Sequence, residues 1–224
     1  MTAEVLPSVQ MPKFLAQGAP SIKAAFDTYN SRAKADAFES LGPKLSTLIS
    51  VVISLVMSSK PLTLVHLEAA KSLVTEAEIA EAVMAAAALR AGGAIGYGRL
   101  AFKLIENRQS GEPEEDLTQI QRDRQYMTQL RKANPGSFDC LHRFMESLHK
   151  PHLVIPAKHY ELMAVAGATI TQCVYCLEKH VNDAKKAGAS DREIADVVHM
   201  AVVLRAESVI GEVASDACMP EFSG

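Results

Sequence analysis

An all-α fold is predicted, and three observations carry it. Apolar residues recur at spacings of three and four rather than two, the period of a helix face. The composition is rich in Ala, Leu, Val, Glu and Lys, and no alternating apolar run is long enough to propose a strand. The stretches 74–95 (VTEAEIAEAVMAAAALRAGGAI) and 189–210 (ASDREIADVVHMAVVLRAESVI) match at nine of 22 positions without a gap, and both carry the helical period.

Residues 1–20 read as an N-terminal arm. Helices are then expected over about 21–40, 43–58, 62–73, 76–107, 114–132, 137–149, 157–171 and 174–187. The last helix, SDREIADVVHMAVVLRAESVIGEVA, has the clearest signature. Ser190 can cap its start, Glu193 sits three residues on as a capping-box partner, and Ile194, Val197, Val198, Ala201 and Leu204 form the apolar stripe.

The internal match divides the chain. Upstream of it Phe26 and Asp27 answer Phe138 and Asp139 at a helix start, and Pro43 answers Pro156 ahead of the next helix. The expected organisation is an arm (1–20), a first helical repeat (21–110), a connecting helix (111–134) and a second repeat (135–224), with the polar stretch ENRQSGEPEED between them. Glu161, Cys173, Cys176 and His180 of the second repeat fall on Ser46, Ser58, Pro61 and Val65 of the first. The first copy keeps the scaffold without the reactive groups, and this asymmetry favours a functional site in the second.

Composition narrows the classes of function. Acidic and basic residues, 26 and 23, are interspersed for a net charge of -3, so no basic stripe marks a nucleic-acid surface. The start has no charged leader followed by an apolar run. The longest apolar stretch, between Lys44 and Lys60, is shorter than the roughly 20 residues that span a bilayer. A cytoplasmic protein without a membrane partner is the expectation. Four cysteines in such a chain do not suggest a disulfide framework; a C-x-x-C there points to redox catalysis or metal binding.

That pair lies in CVYCLEKH, residues 173–180. Cys173 sits at the start of an expected helix, where unpaired amides and the helix dipole favour a thiolate. Cys176 and His180 follow at three and four residues, on the same face. The imidazole can take the thiol proton, and Glu161, set among Leu162, Met163, Val165 and Ala166, is the candidate carboxylate to orient that imidazole. Structural zinc is the competing reading, since two Cys and a His are zinc ligands, with Cys140 or Cys218 to complete the set. Two inert core cysteines are the third.

The run from Glu161 through Cys173-Val-Tyr-Cys176 and His180 to AKKAGASDREI resembles the carboxymuconolactone decarboxylase-like superfamily, and within it the alkylhydroperoxidase D group. The resemblance covers the second repeat closely and the first as the same unit stripped of its motif. It implies an all-helical fold, assembly as trimers or hexamers of such units, and reduction of small hydroperoxides driven by a thiol or dithiol reductant, with no cofactor. Carried over by position, Cys176 is the peroxide-attacking thiol, Cys173 the resolving thiol, His180 the proton relay and Glu161 the base behind it. Tyr175 departs from the pattern, because the group often has a histidine there; a phenol donates a hydrogen bond but is a poor base near neutral pH. Alternatives are a thiol-disulfide adaptor without peroxidase activity, a decarboxylase-type enzyme, and a zinc-stapled interaction protein.

The remaining features read as structural. His142, His149, His152 and His159 form no compact ligand set and read as surface or cap residues. GGAIGYG (92–98) is expected to serve close helix packing, with Gly96 matching Gly211. Arg90 and Arg205 recur at one repeat position, as partners in structural ion pairs. Tyr97 and Phe102 are expected in the core or at subunit contacts, and Cys140 and Cys218 as bystanders.

Overall fold

A computed structural model describes residues 6–102, 104, 105, 120–150 and 153–214, apart from the side chains of residues 120–124. The fold is all-α. Its helices are α1 (Lys13–Gly18), α2 (Pro20–Met57), α3 (Lys60–Ala70), α4 (Glu76–Gly98), α5 (Ile120–Ala133), α6 (Pro135–Ser147), α7 (Ala157–Thr171), α8 (Val174–Lys186) and α9 (Asp191–Ala214). Helical turns resume at residues 100–102, 104 and 105. The expected helix at 114–132 falls partly outside the described residues.

The two helices expected over 21–40 and 43–58 run on as α2, broken only at Gly42, whose φ of 76° breaks the helical geometry. Glycine meets that conformation without a Cβ penalty, and Pro43 restarts the helix at a position where a missing N–H costs nothing. Two capping boxes start the long helices. Thr75 N–H donates to Glu78 Oε2 at 2.9 Å and Glu78 N–H to Thr75 Oγ1 at 3.3 Å. Ser190 and Glu193 make the reciprocal pair at 2.8 and 3.1 Å, as the sequence predicts.

The core forms where the second part of α2 crosses α7, α4 and α9. Leu48, Ile49, Val52 and Ile53 of α2 are closed to solvent, as are Leu162, Met163 and Val165 of α7 and Val197, Met200 and Leu204 of α9. Small residues let the backbones approach: a Cβ on Gly167 would lie 2.7 Å from Leu89 Cδ1, and one on Gly93 would lie 2.9 Å from Thr171 Cβ. The apolar content of α2 and of residues 76–102 is enough in length to cross a membrane, but 61% of the α2 window is buried within the fold, as for any central helix.

A polar cluster lies within this apolar packing. Lys34 Nζ donates to Glu207 Oε2 at 2.7 Å, and both side chains are only 1% exposed. The N-terminal arm completes it, with Pro7 O and Ser8 Oγ accepting from Lys34 and Val9 N–H donating to Glu207 Oε1. His66 is buried with neither ring nitrogen partnered, and burial, helped by the Lys34 charge, pushes its pKa down to about 3.

Arg90 and Arg205 do not form the expected ion pairs. Arg90 donates to Ser58 Oγ and Arg205 to Ile170 O, with no carboxylate partner for either among the described residues. Each reaches from within its own helix to the C-terminal end of a neighbour, where a hydroxyl or a carbonyl serves instead. Tyr97 is 76% exposed and so is not a core residue.

Candidate functional site

The site begins at the turn between α7 and α8. Gln172 ends α7 in the left-handed region at φ 54°, and Cys173 caps α8, its sulfur accepting the Cys176 N–H at 3.3 Å. This places both sulfurs in the first turn, and Cys173 and Cys176 form a disulfide across Cα atoms 5.3 Å apart. Cys173 is buried, whereas Cys176 is half-buried and opens on a cavity of about 230 Å³.

The first half of the chain supplies the other wall. A Cβ on Gly96 would lie 2.7 Å from Cys173 Sγ and 3.3 Å from Cys176 Sγ, and Gly92 O is 3.5 Å from Cys176 Sγ. Gly93 and Gly96 therefore do serve close packing, and what packs on Gly96 is the disulfide. Arg99, just beyond α4, donates to Gly96 O, and its guanidinium stands 5.3 Å from the Tyr175 ring centroid. A matching contact occurs across the fold, where Gly211 faces Pro61, 3.1 Å from its would-be Cβ.

His180 is one turn past Cys176 on α8. Its Nδ1 is 2.8 Å from Glu161 Oε2, and the side chains are 11% and 6% exposed. A carboxylate so buried needs a donor, and the imidazole meets that need. Nδ1 is thereby fixed as the nitrogen toward the acid, and Nε2 is left for the cavity that His180 and Cys176 both line. Tyr160 packs edge-on to the His180 ring, at 6.4 Å, and burial raises its pKa, so it remains a neutral phenol.

A second imidazole joins the group. His149 Nδ1 lies 3.6 Å from Glu161 Oε1, and its ring packs edge-on to Tyr160 at 4.7 Å. Its pKa is lowered, chiefly by burial, with Glu161 opposing. The sequence expectation of a surface or cap role missed this, because the contact joins residues after α6 to α7 and has no local signature. Arg99 escaped notice for the same reason. Of the other histidines, His142 pairs with Glu146 at 3.3 Å, His159 is half-buried away from the cavity, and His152 lies outside the described residues. Cys140 is exposed and free; Cys218 is outside the described residues.

The rest of the cavity is largely apolar, with Leu89, Ile95, Met127, Phe138, Leu141 and Met145 among its lining, and His142, Tyr175 and Lys179 reach it as well. It draws on α4, α5, α6, α7 and α8. Among the described residues there is no group of three or more His, Cys, Asp or Glu placed to hold a metal ion.

The site is thus a Cys173–Cys176 pair beside a buried carboxylate–imidazole pair in an all-helical frame. Residues 135–211 match the model of the carboxymuconolactone decarboxylase family. A 46-residue stretch is 41% identical to "Uncharacterized protein 4 in cox locus" of Paracoccus denitrificans, covering 20% of this chain; the match spans 41% of that relative's length. A crystal structure from Burkholderia xenovorans, of a protein assigned as a gamma-carboxymuconolactone decarboxylase subunit, superposes with a TM-score of 0.68 at 16% identity. It covers 91% of this chain and 88% of its own, a likeness of fold. The family match lies in residues 135–211, the stretch that holds Glu161, Cys173, Cys176 and His180.

Proposed function

We propose that the protein is a thiol-dependent peroxidase of the alkylhydroperoxidase D kind. The observation that carries the reading is the His180–Glu161 pair at 2.8 Å, opening on the same cavity as Cys176. In the reduced protein His180 takes the Cys176 proton and Glu161 stabilises the resulting imidazolium. The thiolate attacks the terminal peroxide oxygen, the O–O bond breaks, and Cys176 becomes a sulfenic acid while the leaving alkoxide takes one proton to become an alcohol. Cys173 then attacks the Cys176 sulfur, forming the disulfide and releasing water.

Two features suit the division of roles. Cys176 is the cysteine that reaches the cavity, and Cys173 is the buried one. When an external dithiol reopens the bond at Cys176, Cys173 leaves as a thiolate at the start of α8, where the Cys176 N–H already points at its sulfur. The reductant is oxidised to its own disulfide, and the cycle closes without a bound cofactor.

A thiol-disulfide adaptor uses the same residues, and Tyr175 in place of a second motif histidine is the feature that favours it. We further propose a homotrimer, or a larger ring of the same units, in the cytoplasm; Met84, Val202 and Val209, exposed on α4 and α9, supply apolar surface for it. The test is turnover. Purified protein with dithiothreitol should consume cumene hydroperoxide catalytically, and Cys176→Ser should be no faster than dithiothreitol alone. Thiol exchange with a disulfide substrate and no peroxide loss assigns the adaptor role instead.

A further inference from the structure

Glu161 touches two imidazoles, one through each oxygen. His180 meets Oε2 at 2.8 Å and His149 approaches Oε1 at 3.6 Å, both by Nδ1. The two rings differ in access to water. His180 and Glu161 are nearly closed, whereas the His149 side chain is 40% exposed, and it lines the cavity together with Cys176. A proton taken from Cys176 by His180 therefore enters a pair that His149, on the other Glu161 oxygen, joins to the same cavity.

Peroxide reduction creates a matching demand. The leaving alkoxide is a strong base, and its departure from the O–O bond is slow unless a proton reaches it. Resting on the peroxidase reading above, we infer that His149 is the general acid of the reaction, protonating the leaving oxygen with a proton that passes from Cys176 through His180 and Glu161. The circuit balances: one proton leaves the Cys176 thiol, one arrives on the alkoxide, and no net charge leaves the site. Glu161 takes the proton on Oε2, its carboxyl group turns over to face His149, and His149 Nδ1 receives that proton while its Nε2 gives one to the leaving oxygen; a small rotation of this half-exposed ring closes the 3.6 Å gap to a hydrogen bond.

The surroundings suit such a carrier. Tyr160 packs against both rings and holds their planes, while burial keeps its own proton in place. The groups that act on His149 are Glu161 of α7 and His180, Lys179 and Asp183 of α8, two acids against one base and one imidazole. Burial outweighs the acids and keeps the free ring neutral, ready to accept the relayed proton. The site thus has its second imidazole from the segment after α6 rather than from position 175, where the chain has tyrosine.

The test uses leaving groups that differ in their need for an acid. Reduced wild-type protein, His149→Gln and His149→Phe would be mixed with cumene hydroperoxide or with peracetic acid, and thiol loss followed in a single turnover. The phenylalanine variant keeps the edge contact with Tyr160 and so guards against simple misfolding. For cumene hydroperoxide, whose alkoxide needs protonation, both variants should be slower by about 100-fold, the ordinary size of general acid catalysis. For peracetic acid, whose acetate leaves unaided, the loss should stay below about threefold. Equal losses with both oxidants, or no loss with either, overturn the role of His149. Wild-type protein that reacts with neither oxidant overturns the peroxidase reading itself, and this role with it.

Discussion

Glu161 and His180 are bonded at 2.8 Å although they come from different helices and are both almost closed to solvent. Removing either partner strands a buried polar group, so the pair is costly to break. Its imidazole lines the same cavity as Cys176, which is where the proposed reaction needs a base.

The proposed order of roles within the dithiol rests on access. Cys176→Ser should abolish reaction with peroxide, whereas Cys173→Ser should still form a sulfenic acid on Cys176 that cannot close to the intramolecular disulfide. Mass spectrometry after one equivalent of hydroperoxide, with a sulfenic-acid trap, reads both. Trapped sulfenic acid on Cys173 in the Cys176→Ser protein, and none in the reciprocal variant, reverses the assignment and gives the choice of nucleophile to the start of α8.

Glu161→Gln removes the charge that, on the proposed mechanism, stabilises the His180 imidazolium, while keeping the shape of the side chain. Thiolate then forms less readily near neutral pH, so the rate with peroxide should fall by about 10- to 100-fold at pH 7. Above the thiol's own titration the base is no longer needed, and the deficit should shrink. A deficit that stays constant from pH 6 to pH 10 points to misplacement of the helix rather than loss of the base.

Gly96 is tested by adding one methyl group. A Cβ there would stand 2.7 Å from Cys173 Sγ, so Gly96→Ala should destabilise the oxidised protein by about 1–3 kcal/mol through overpacking. That corresponds to a fall in Tm of several degrees for a chain of this size. Gly98→Ala, which meets nothing within 4 Å, is the matched control and should leave Tm unchanged or slightly higher. Equal Tm values for the two variants argue against the packing of α4 on the disulfide.

His66 sets an acid limit on stability. Its folded pKa, about 3, lies below the ordinary value of 6.5, so it binds fewer protons folded than unfolded between those values. Its contribution is therefore complete above pH 6.5 and is lost as pH falls toward 3; by pH 5 the loss is about 2 kcal/mol. His66→Leu should flatten the difference in unfolding free energy between pH 7 and pH 5 by about that amount. An unchanged difference in urea melts assigns the acid sensitivity to other groups.

Much of this was legible in the sequence because the signals are local. Helical period, the Ser190–Glu193 capping box, and the C-x-x-C-x-x-x-H spacing each lie within one turn or two of a helix. The carboxylate was legible because Glu161 is an acid in an apolar run, which demands a partner. The break at Gly42 was placed correctly, though α2 continues through it with a kink. What stayed hidden depends on tertiary contacts with no sequence period: Gly96 against the sulfurs, Arg99 over Tyr175, and His149 on Glu161. Arg90 and Arg205 misled for the same reason, since an arginine beside an apolar face can end on a helix-terminal carbonyl or hydroxyl as well as on an acid.

The central claim is that the dithiol itself reduces a hydroperoxide, and its stoichiometry in a single turnover is the most direct measure. Fully reduced protein, freed of small thiols, would be given one equivalent of cumene hydroperoxide, and alcohol, remaining thiols and disulfide linkage determined together. One alcohol formed, two thiols lost per chain and a Cys173–Cys176 bond in the peptide map is the expected result. Hydroperoxide left intact, with both thiols still titratable after prolonged incubation, contradicts it.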